Sequence, residues 1–122
     1  MSEHVTVSDA QGVRTIVMER PEKKNALTHA MYAAMTDAMI SAQSDPSVGV
    51  VLITGEGDAF TAGNDLGDFL AAPPTLDAPN TNGERPPVLA FLDALLDAEK
   101  PLAAAVNGIA VGVGATLLLH CD

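Results

Sequence analysis

Two segments of the chain join a buried strand to a glycine-bearing turn, an arrangement that exposes backbone N–H groups to an anionic oxygen. In residues 50–66, a β-branched apolar run leads into a loop with three glycines. In residues 101–117, a second apolar run leads through Asn107-Gly108 into a helix that starts at about Gly112. The N–H groups in the first turn of a helix have no internal partner and lie at the positive end of its dipole. The second segment therefore suits an anion or a developing oxyanion.

Either turn could also be a tight connection that binds no ligand, and the glycines of the first segment alone favour that interpretation. Gly112 and Gly114 also look like the start of a dinucleotide-binding fingerprint. The third glycine position of that pattern is occupied by Leu117, so the fingerprint is incomplete and a dinucleotide-binding domain is disfavoured.

The composition limits the classes of partner. The net charge is −10, which argues against binding to nucleic acid or to an anionic membrane. Four of the six basic residues nevertheless fall between positions 14 and 24, where a local basic patch could hold an anionic ligand. The chain is 48% hydrophobic and 3% aromatic, so we expect an aliphatic core. With a single cysteine, Cys121, and no secretory signal at Met1, we expect a cytoplasmic protein without an intrachain disulfide.

The periodicity of the apolar residues predicts an α/β domain in which strands and helices alternate. Val13, Thr15 and Val17 alternate as in a half-buried strand, and the apolar run at 48–54 is typical of a strand buried on both faces. Thr28 is expected to cap the first helix. The predicted order is two strands (4–8 and 13–19), a helix (28–44), a strand (48–54), a helical turn (65–70), a helix (88–98), a strand (102–106) and a helix (112–119).

Two further segments bear on the organisation of the chain. Residues 71–87 contain five of the eight prolines and show no periodicity, which predicts a mobile surface loop. Residues 101–121 lack Asp, Glu, Lys and Arg and approach the ~20 apolar residues of a membrane span. Because Asn107-Gly108 interrupts this segment, we interpret it as strand, turn and helix, without a membrane span. The apolar residues 117–119 have nothing to cover them, so we expect the chain to be part of a longer protein.

Three blocks of sequence are informative as a set. They are Arg20-Pro-Glu-Lys-Lys-Asn-Ala-Leu27, Ala59-Phe-Thr-Ala-Gly-Asn-Asp-Leu66, and the stretch from Lys100-Pro101 through Val106-Asn-Gly108 to Gly114. In order and spacing they resemble the enoyl-coenzyme A hydratase/isomerase family, the crotonase superfamily. The resemblance implies that residues 1–122 are the N-terminal part of a single crotonase-like domain of the ClpP/crotonase type. In that fold, ββα units form a right-handed spiral, which is incomplete here without the C-terminal half. It also implies assembly into homotrimers or hexamers.

The same resemblance implies an acyl-CoA thioester as the substrate, with coenzyme A as part of the substrate, no separate cofactor and no metal. The thioester oxygen would accept hydrogen bonds from the backbone N–H groups of Ala62 and Val113. The basic patch would meet the phosphates of coenzyme A. The coenzyme A and pantetheine path would be lined by Lys23, Lys24, Ala26, Gly63, Asn64, Asp65 and Leu66.

The chain departs from the hydratase pattern at Thr116, the position of the first of two family glutamates. Threonine is not expected to act as a base at neutral pH, and the second glutamate would lie beyond Asp122. A one-base site resembles the Δ3,Δ2-enoyl-CoA isomerases, as does Gly63-Asn-Asp-Leu66 followed by Phe69. We therefore favour isomerisation in fatty-acid or related acyl-CoA metabolism. The alternatives are an enoyl-CoA hydratase, a non-catalytic acyl-CoA-binding fragment, and an incomplete chain without activity.

Overall fold

The structure, a computed structural model, describes residues 3–71 and 85–122. The strands in these ranges are β1 (Val5–Ala10), β2 (Val13–Met18), β3 (Val50–Gly55), β4 (Ala59–Thr61), β5 (Leu102–Ala105) and β6 (Ile109–Ala110). The helices are α1 (His29–Ser44), α2 (Leu66–Ala71), α3 (Pro87–Asp97) and α4 (Val113–Leu118), with a short 3₁₀ turn at Pro21–Lys23. The predicted alternation of strands and helices is confirmed. Ala71 ends α2 and Pro87 begins α3, so the predicted loop at 71–87 lies almost entirely outside the described residues.

The larger sheet has the strand order β1-β2-β3-β5. β1 and β2 form an antiparallel hairpin, whereas β2–β3 and β3–β5 are parallel pairs, with Ile16 and Ala104 on either side of Ile53. α1 is the crossover between β2 and β3; it packs against β1 and β2, and α3 packs against α1. Parallel neighbours joined by helical crossovers direct the carboxyl ends of β2, β3 and β5 to one edge of the sheet.

Within the described residues, one face of this sheet is buried. The buried positions of β2 are Arg14, Ile16 and Met18, and the predicted set of Val13, Thr15 and Val17 is half-buried. In β3, Val51 and Ile53 are buried while the alternate residues are partly exposed. The prediction that this strand is buried on both faces is therefore wrong for the described part of the chain, because the side chains of its second face are only partly buried.

The core is not purely aliphatic, contrary to the prediction from composition. Three of the four aromatic residues, Tyr32, Phe60 and Phe91, are at most 1% exposed. The rings of Tyr32 and Phe91 lie 5.6 Å apart and join α1 to α3. The expected N-cap of α1 is confirmed, since the side-chain oxygen of Thr28 accepts a hydrogen bond from the Met31 N–H at 3.1 Å.

β4 and β6 form a separate two-stranded parallel sheet. They follow β3 and β5 in the chain, so this sheet holds the two glycine-bearing turns together. The packing is close at Gly108, where a Cβ would stand 2.1 Å from the carbonyl oxygen of Asp58. The charge-free segment 101–121 forms β5, β6 and α4, which agrees with the strand, turn and helix interpretation. No helix in the described ranges is long and apolar enough to cross a bilayer.

Candidate functional site

The first and second sequence blocks lie side by side at the carboxyl edge of the sheet. The N–H of Ala62 donates to the carbonyl oxygen of Lys24 at 2.9 Å. The N–H of Leu27 donates to Gly63 at 2.7 Å, and the N–H of Asp65 donates to Leu27 at 2.8 Å. These three bonds fix the backbone of residues 62–65 along one side.

Asn25 fixes the first block from within the core. It is fully buried and has a positive φ of 58°, which asparagine tolerates better than most residues. Its side-chain oxygen accepts a hydrogen bond from the backbone N–H of Arg20, and its Nδ2 donates to the carbonyl oxygens of Ala59 and Phe60. The Thr61 hydroxyl returns a bond of 2.6 Å to the Asn25 carbonyl. The Asn25 position in the first block is thus an anchor for β4, a role that the sequence reasoning did not assign.

The second and third blocks meet at two glycines. Gly63 and Gly112 have φ values of 94° and 60°, a region that L side chains rarely adopt. A Cβ on Gly63 would stand 3.0 Å from the carbonyl oxygen of Val111 and 3.8 Å from the Cα of Gly112. The N–H of Val111 in turn donates to Thr61 at 3.0 Å. The close approach therefore depends on the absence of a side chain at residue 63.

The residue after each of these glycines has an open backbone N–H. Within the described residues, no acceptor takes the N–H of Asn64 or of Val113. Val113 is the first residue of α4, so its N–H also lies at the positive end of that helix.

The structure corrects one of the two predicted donors. The N–H assigned to the ligand at Ala62 is already donated to Lys24, as described above, and so is not available. Among residues 62–65, Asn64 is the one whose N–H has no acceptor within the described part of the chain. The role of Val113 as the second donor stays a prediction, and its N–H has no competing acceptor among the described residues.

A groove that Asn64 helps to line contains most of the predicted coenzyme A contacts. It is lined by Arg20, Lys23, Ala26, Ala62, Asn64, Asp65, Leu66 and Gly67. Of the predicted path residues, Lys24 and Gly63 are outside this lining. The Nζ of Lys24 is 2.9 Å from both carboxylate oxygens of Asp58. Lys23 is thus the lysine that faces the groove.

The carboxylate of Asp65, which lines the groove, is held by two hydrogen bonds. It accepts hydrogen bonds from the backbone N–H of Asp68 at 2.9 Å and from the guanidinium of Arg20 at 2.8 Å. These two interactions, the backbone bond first, hold the pKa of the Asp65 carboxyl below its usual value. The Arg20 guanidinium also donates to the carbonyl oxygen of Ala26 at 3.1 Å. Asp65 is therefore an ionised residue that fixes the turn into α2.

A small apolar cavity adjoins the groove and shares Asn64 and Asp65 with it. Its other lining residues are Leu27, His29, Tyr32, Phe69 and Val88. The hydroxyl of Tyr32 reaches this boundary from the core and donates to the side-chain oxygen of Asn64. Sequence reasoning assigned no role to Tyr32, because its bond to Asn64 joins two distant parts of the chain.

Thr116, which is not expected to act as a base, makes a local hydrogen bond. Its hydroxyl donates to the carbonyl oxygen of Gly112 at 3.2 Å, which is a local bond within α4. In the part of the chain that the structure describes, no group of three or more His, Cys, Asp or Glu residues could hold a metal ion.

Comparison with known proteins identifies the family. The family model described as enoyl-CoA hydratase/isomerase matches residues 8–122. The chain belongs to this family. The solved structure of OdaA from Pseudomonas aeruginosa has a TM-score of 0.87 and 54% sequence identity, covering 99% of this chain and 46% of that chain. The predicted crotonase-type α/β fold is thereby confirmed.

Two curated members of the family illustrate the range of names among its relatives. Enoyl-CoA delta isomerase 2 of Homo sapiens is 36% identical over 116 residues, which are 95% of this chain and 29% of that protein. The 2,3-dehydroadipyl-CoA hydratase of Escherichia coli K12 is 40% identical over 122 residues, which are 100% of this chain and 45% of that protein. The chain thus spans less than half the length of these enoyl-CoA hydratase/isomerase relatives and corresponds to their N-terminal part.

Proposed function

We propose that the protein binds an acyl-CoA thioester with its carbonyl oxygen between the backbone N–H groups of Asn64 and Val113. The observation that carries the proposal is the contact of Gly63 with the Val111–Gly112 backbone, because it brings together the two loops in which these N–H groups are open. Preorganised donors of this kind stabilise the negative charge that develops on a thioester oxygen when a neighbouring carbon loses a proton.

Coenzyme A would approach along the groove. Lys23 offers a cation for its phosphates, and Ala26 with Asn64, Asp65 and Leu66 would line the pantetheine path. Lys24 is left out of this revised path because Asp58 already binds its ammonium group. Gly63 would contribute through its backbone alone.

The reaction that we propose is Δ3,Δ2-enoyl-CoA isomerisation. A base removes a proton from carbon 2, the resulting dienolate is held at its oxygen by the two N–H groups, and the same proton returns to carbon 4. The base would lie outside residues 1–122, since Thr116 stands at the position of the first family glutamate. The similarity to human enoyl-CoA delta isomerase 2 supports this reaction.

Hydration of a 2-enoyl-CoA is the second candidate, favoured by the 40% identity to the Escherichia coli hydratase. Binding of an acyl-CoA without turnover is the third candidate. For the active form we propose a homotrimer or hexamer, which sedimentation of the purified protein would test.

The deciding experiment supplies 3-enoyl-CoA and 2-enoyl-CoA to the protein at the full length that its gene encodes. Double-bond migration is followed by the absorbance of the conjugated thioester, and hydration by its loss. We expect conversion of the 3-enoyl to the 2-enoyl substrate. If hydration predominates, the proposed reaction is wrong and the protein is a hydratase. If the protein binds the thioesters and catalyses neither reaction, only acyl-CoA binding without turnover remains.

A further inference from the structure

The two polar atoms of the Asn64 carboxamide differ in their hydrogen bonding. Its Oδ1 accepts the hydrogen bond from the Tyr32 hydroxyl. Its Nδ2 has no acceptor within the described residues, and it is not among their buried polar atoms that lack a partner, so it is accessible. Asn64 lines both the groove and the small apolar cavity, as does Asp65. An accessible amide donor therefore stands beside the open backbone N–H of the same residue.

The backbone on both sides of Asn64 is fixed independently of its side chain. The carbonyl oxygen of Gly63 accepts from the Leu27 N–H, and the N–H of Asp65 donates to the Leu27 carbonyl. Because these bonds fix the backbone, the side chain of Asn64 can still rotate about its own bonds. The hydrogen bond from the Tyr32 hydroxyl restrains that rotation.

Tyr32 is well suited to this role. Its ring is 1% exposed and packs against Phe91, so the hydroxyl has a fixed position. Burial raises the pKa of the Tyr32 hydroxyl above its ordinary value, so the group stays protonated and remains a donor. A hydroxyl that donates to Oδ1 does not engage Nδ2, so both Nδ2 hydrogens remain available as donors. Because Asn64 lines the groove, a ligand there could accept from them.

We infer that Tyr32 is a positioning residue that orients the Asn64 carboxamide, so that Nδ2 donates a third hydrogen bond to the bound acyl thioester. This inference rests on the proposed binding of an acyl-CoA at the site. It adds a side-chain donor to the two backbone donors. The packing of Tyr32 against Phe91, between α1 and α3, would then help to place a donor that polarises the thioester carbonyl.

The test compares Tyr32→Phe, Asn64→Ala and the double variant in the protein at the full length its gene encodes. Tyr32→Phe deletes only the hydroxyl, and Asn64→Ala keeps the backbone N–H while removing the carboxamide. The matched control is Thr36→Val, which deletes a buried hydroxyl one turn further along α1 that has no hydrogen-bond partner among the described residues. Binding is measured with octanoyl-CoA, a saturated thioester, and with free coenzyme A, which lacks the carbonyl.

Each single variant should weaken octanoyl-CoA binding by about 3- to 10-fold, the usual range for one hydrogen bond. Tyr32→Phe should leave the binding of free coenzyme A unaffected, because Tyr32 does not line the groove. The double variant should bind no more weakly than either single variant, since both changes remove one interaction. The infrared carbonyl stretch of the bound thioester should shift towards its value in water for both variants and stay unchanged for Thr36→Val.

Other outcomes would overturn the inference. An unchanged carbonyl stretch and affinity in Tyr32→Phe would show that the hydroxyl does not act on the ligand. Additive effects in the double variant would show that Tyr32 acts by a route other than Asn64. If the unmodified protein binds neither octanoyl-CoA nor coenzyme A, the proposed function itself fails, and that result is visible before any variant is made. If Tyr32→Phe does not fold, Asn64→Ala alone still decides whether the carboxamide contacts the thioester.

Discussion

Gly63 and Gly112 meet backbone to backbone, with the Cα of Gly112 3.8 Å from the place where a Cβ on Gly63 would stand. Both glycines have a positive φ, and each is followed by a residue whose N–H is open within the described residues. The separation of the two proposed donors is therefore set by a contact between two positions without side chains. A change at either glycine acts on the site and on the fold together.

Replacing Gly63 by alanine should disturb both stability and binding. Its φ of 94° strains any L side chain, and the added Cβ would press against the Val111 carbonyl at 3.0 Å. We expect a loss of unfolding free energy of about 2–4 kcal/mol and at least a tenfold loss of acyl-CoA affinity. Urea unfolding and calorimetric titration measure the two effects.

Gly12→Ala is the matched control for this substitution. Gly12 has a similar φ of 82°, but a Cβ there would meet its nearest neighbour only at 4.0 Å. The control should therefore lose about 1–2 kcal/mol through backbone strain alone and keep its affinity. Equal losses at the two positions would show that the contact between the loops is unimportant.

Replacing Val113 by proline should remove one proposed donor while leaving α4 intact. Val113 is the first residue of α4, where proline is well tolerated, and its N–H has no acceptor among the described residues. We expect turnover to fall by about 10²- to 10³-fold, with a much smaller change in the binding of free coenzyme A. Val113→Ala, which keeps the N–H, should retain activity within a few-fold. Comparable losses in both variants would locate the effect in the side chain and not in the N–H.

The sequence predicted the elements of this site better than its contacts. The strand and helix order and the Thr28 cap depend on local periodicity and on hydrogen bonds within one turn, which a sequence displays directly. Whether a backbone N–H is available to a ligand depends on whether the folded chain places an acceptor next to it. The residue that occupies the Ala62 N–H is Lys24, which comes from a different block of the chain. That pairing is set by the tertiary packing around Asn25, so the sequence alone could not distinguish Ala62 from Asn64.

The same limit applies to the core. Period-two alternation indicated that β2 has two different faces, but it could not decide which face would be buried. In the structure the face with Arg14, Ile16 and Met18 is buried. The bond from Tyr32 to Asn64 joins residues that are far apart in the sequence. Nothing local to either residue indicates that bond.

Two buried threonines should respond in opposite directions to replacement by valine. The Thr61 hydroxyl donates to the Asn25 carbonyl at 2.6 Å and accepts from the Gly63 N–H at 3.1 Å. Thr61→Val leaves both groups without their partner, so we expect a loss of about 1–3 kcal/mol in unfolding free energy. Thr36→Val removes a buried hydroxyl without a partner in the described residues and should be neutral or stabilising by up to about 1 kcal/mol. Urea unfolding of both variants measures this, and a larger loss for Thr36→Val would contradict the hydrogen-bond assignment.

The charge of Asp65 should contribute stability that depends on pH. The pKa of its carboxyl is lowered in the folded protein by the Asp68 N–H and the Arg20 guanidinium. A lowered folded pKa gives a stabilisation that is fully present above the unfolded value of about 3.9 and is lost as the pH falls through the folded pKa. Asp65→Asn, which keeps an acceptor for the Asp68 N–H, should therefore be less stable than the unmodified protein at about pH 7. The difference should shrink steadily below about pH 4.

Asp37→Asn, an exposed site on α1, serves as the control and should show little difference at either pH. A deficit in Asp65→Asn that stays constant from about pH 7 to pH 3 would show that the charge of Asp65 is not what stabilises the turn.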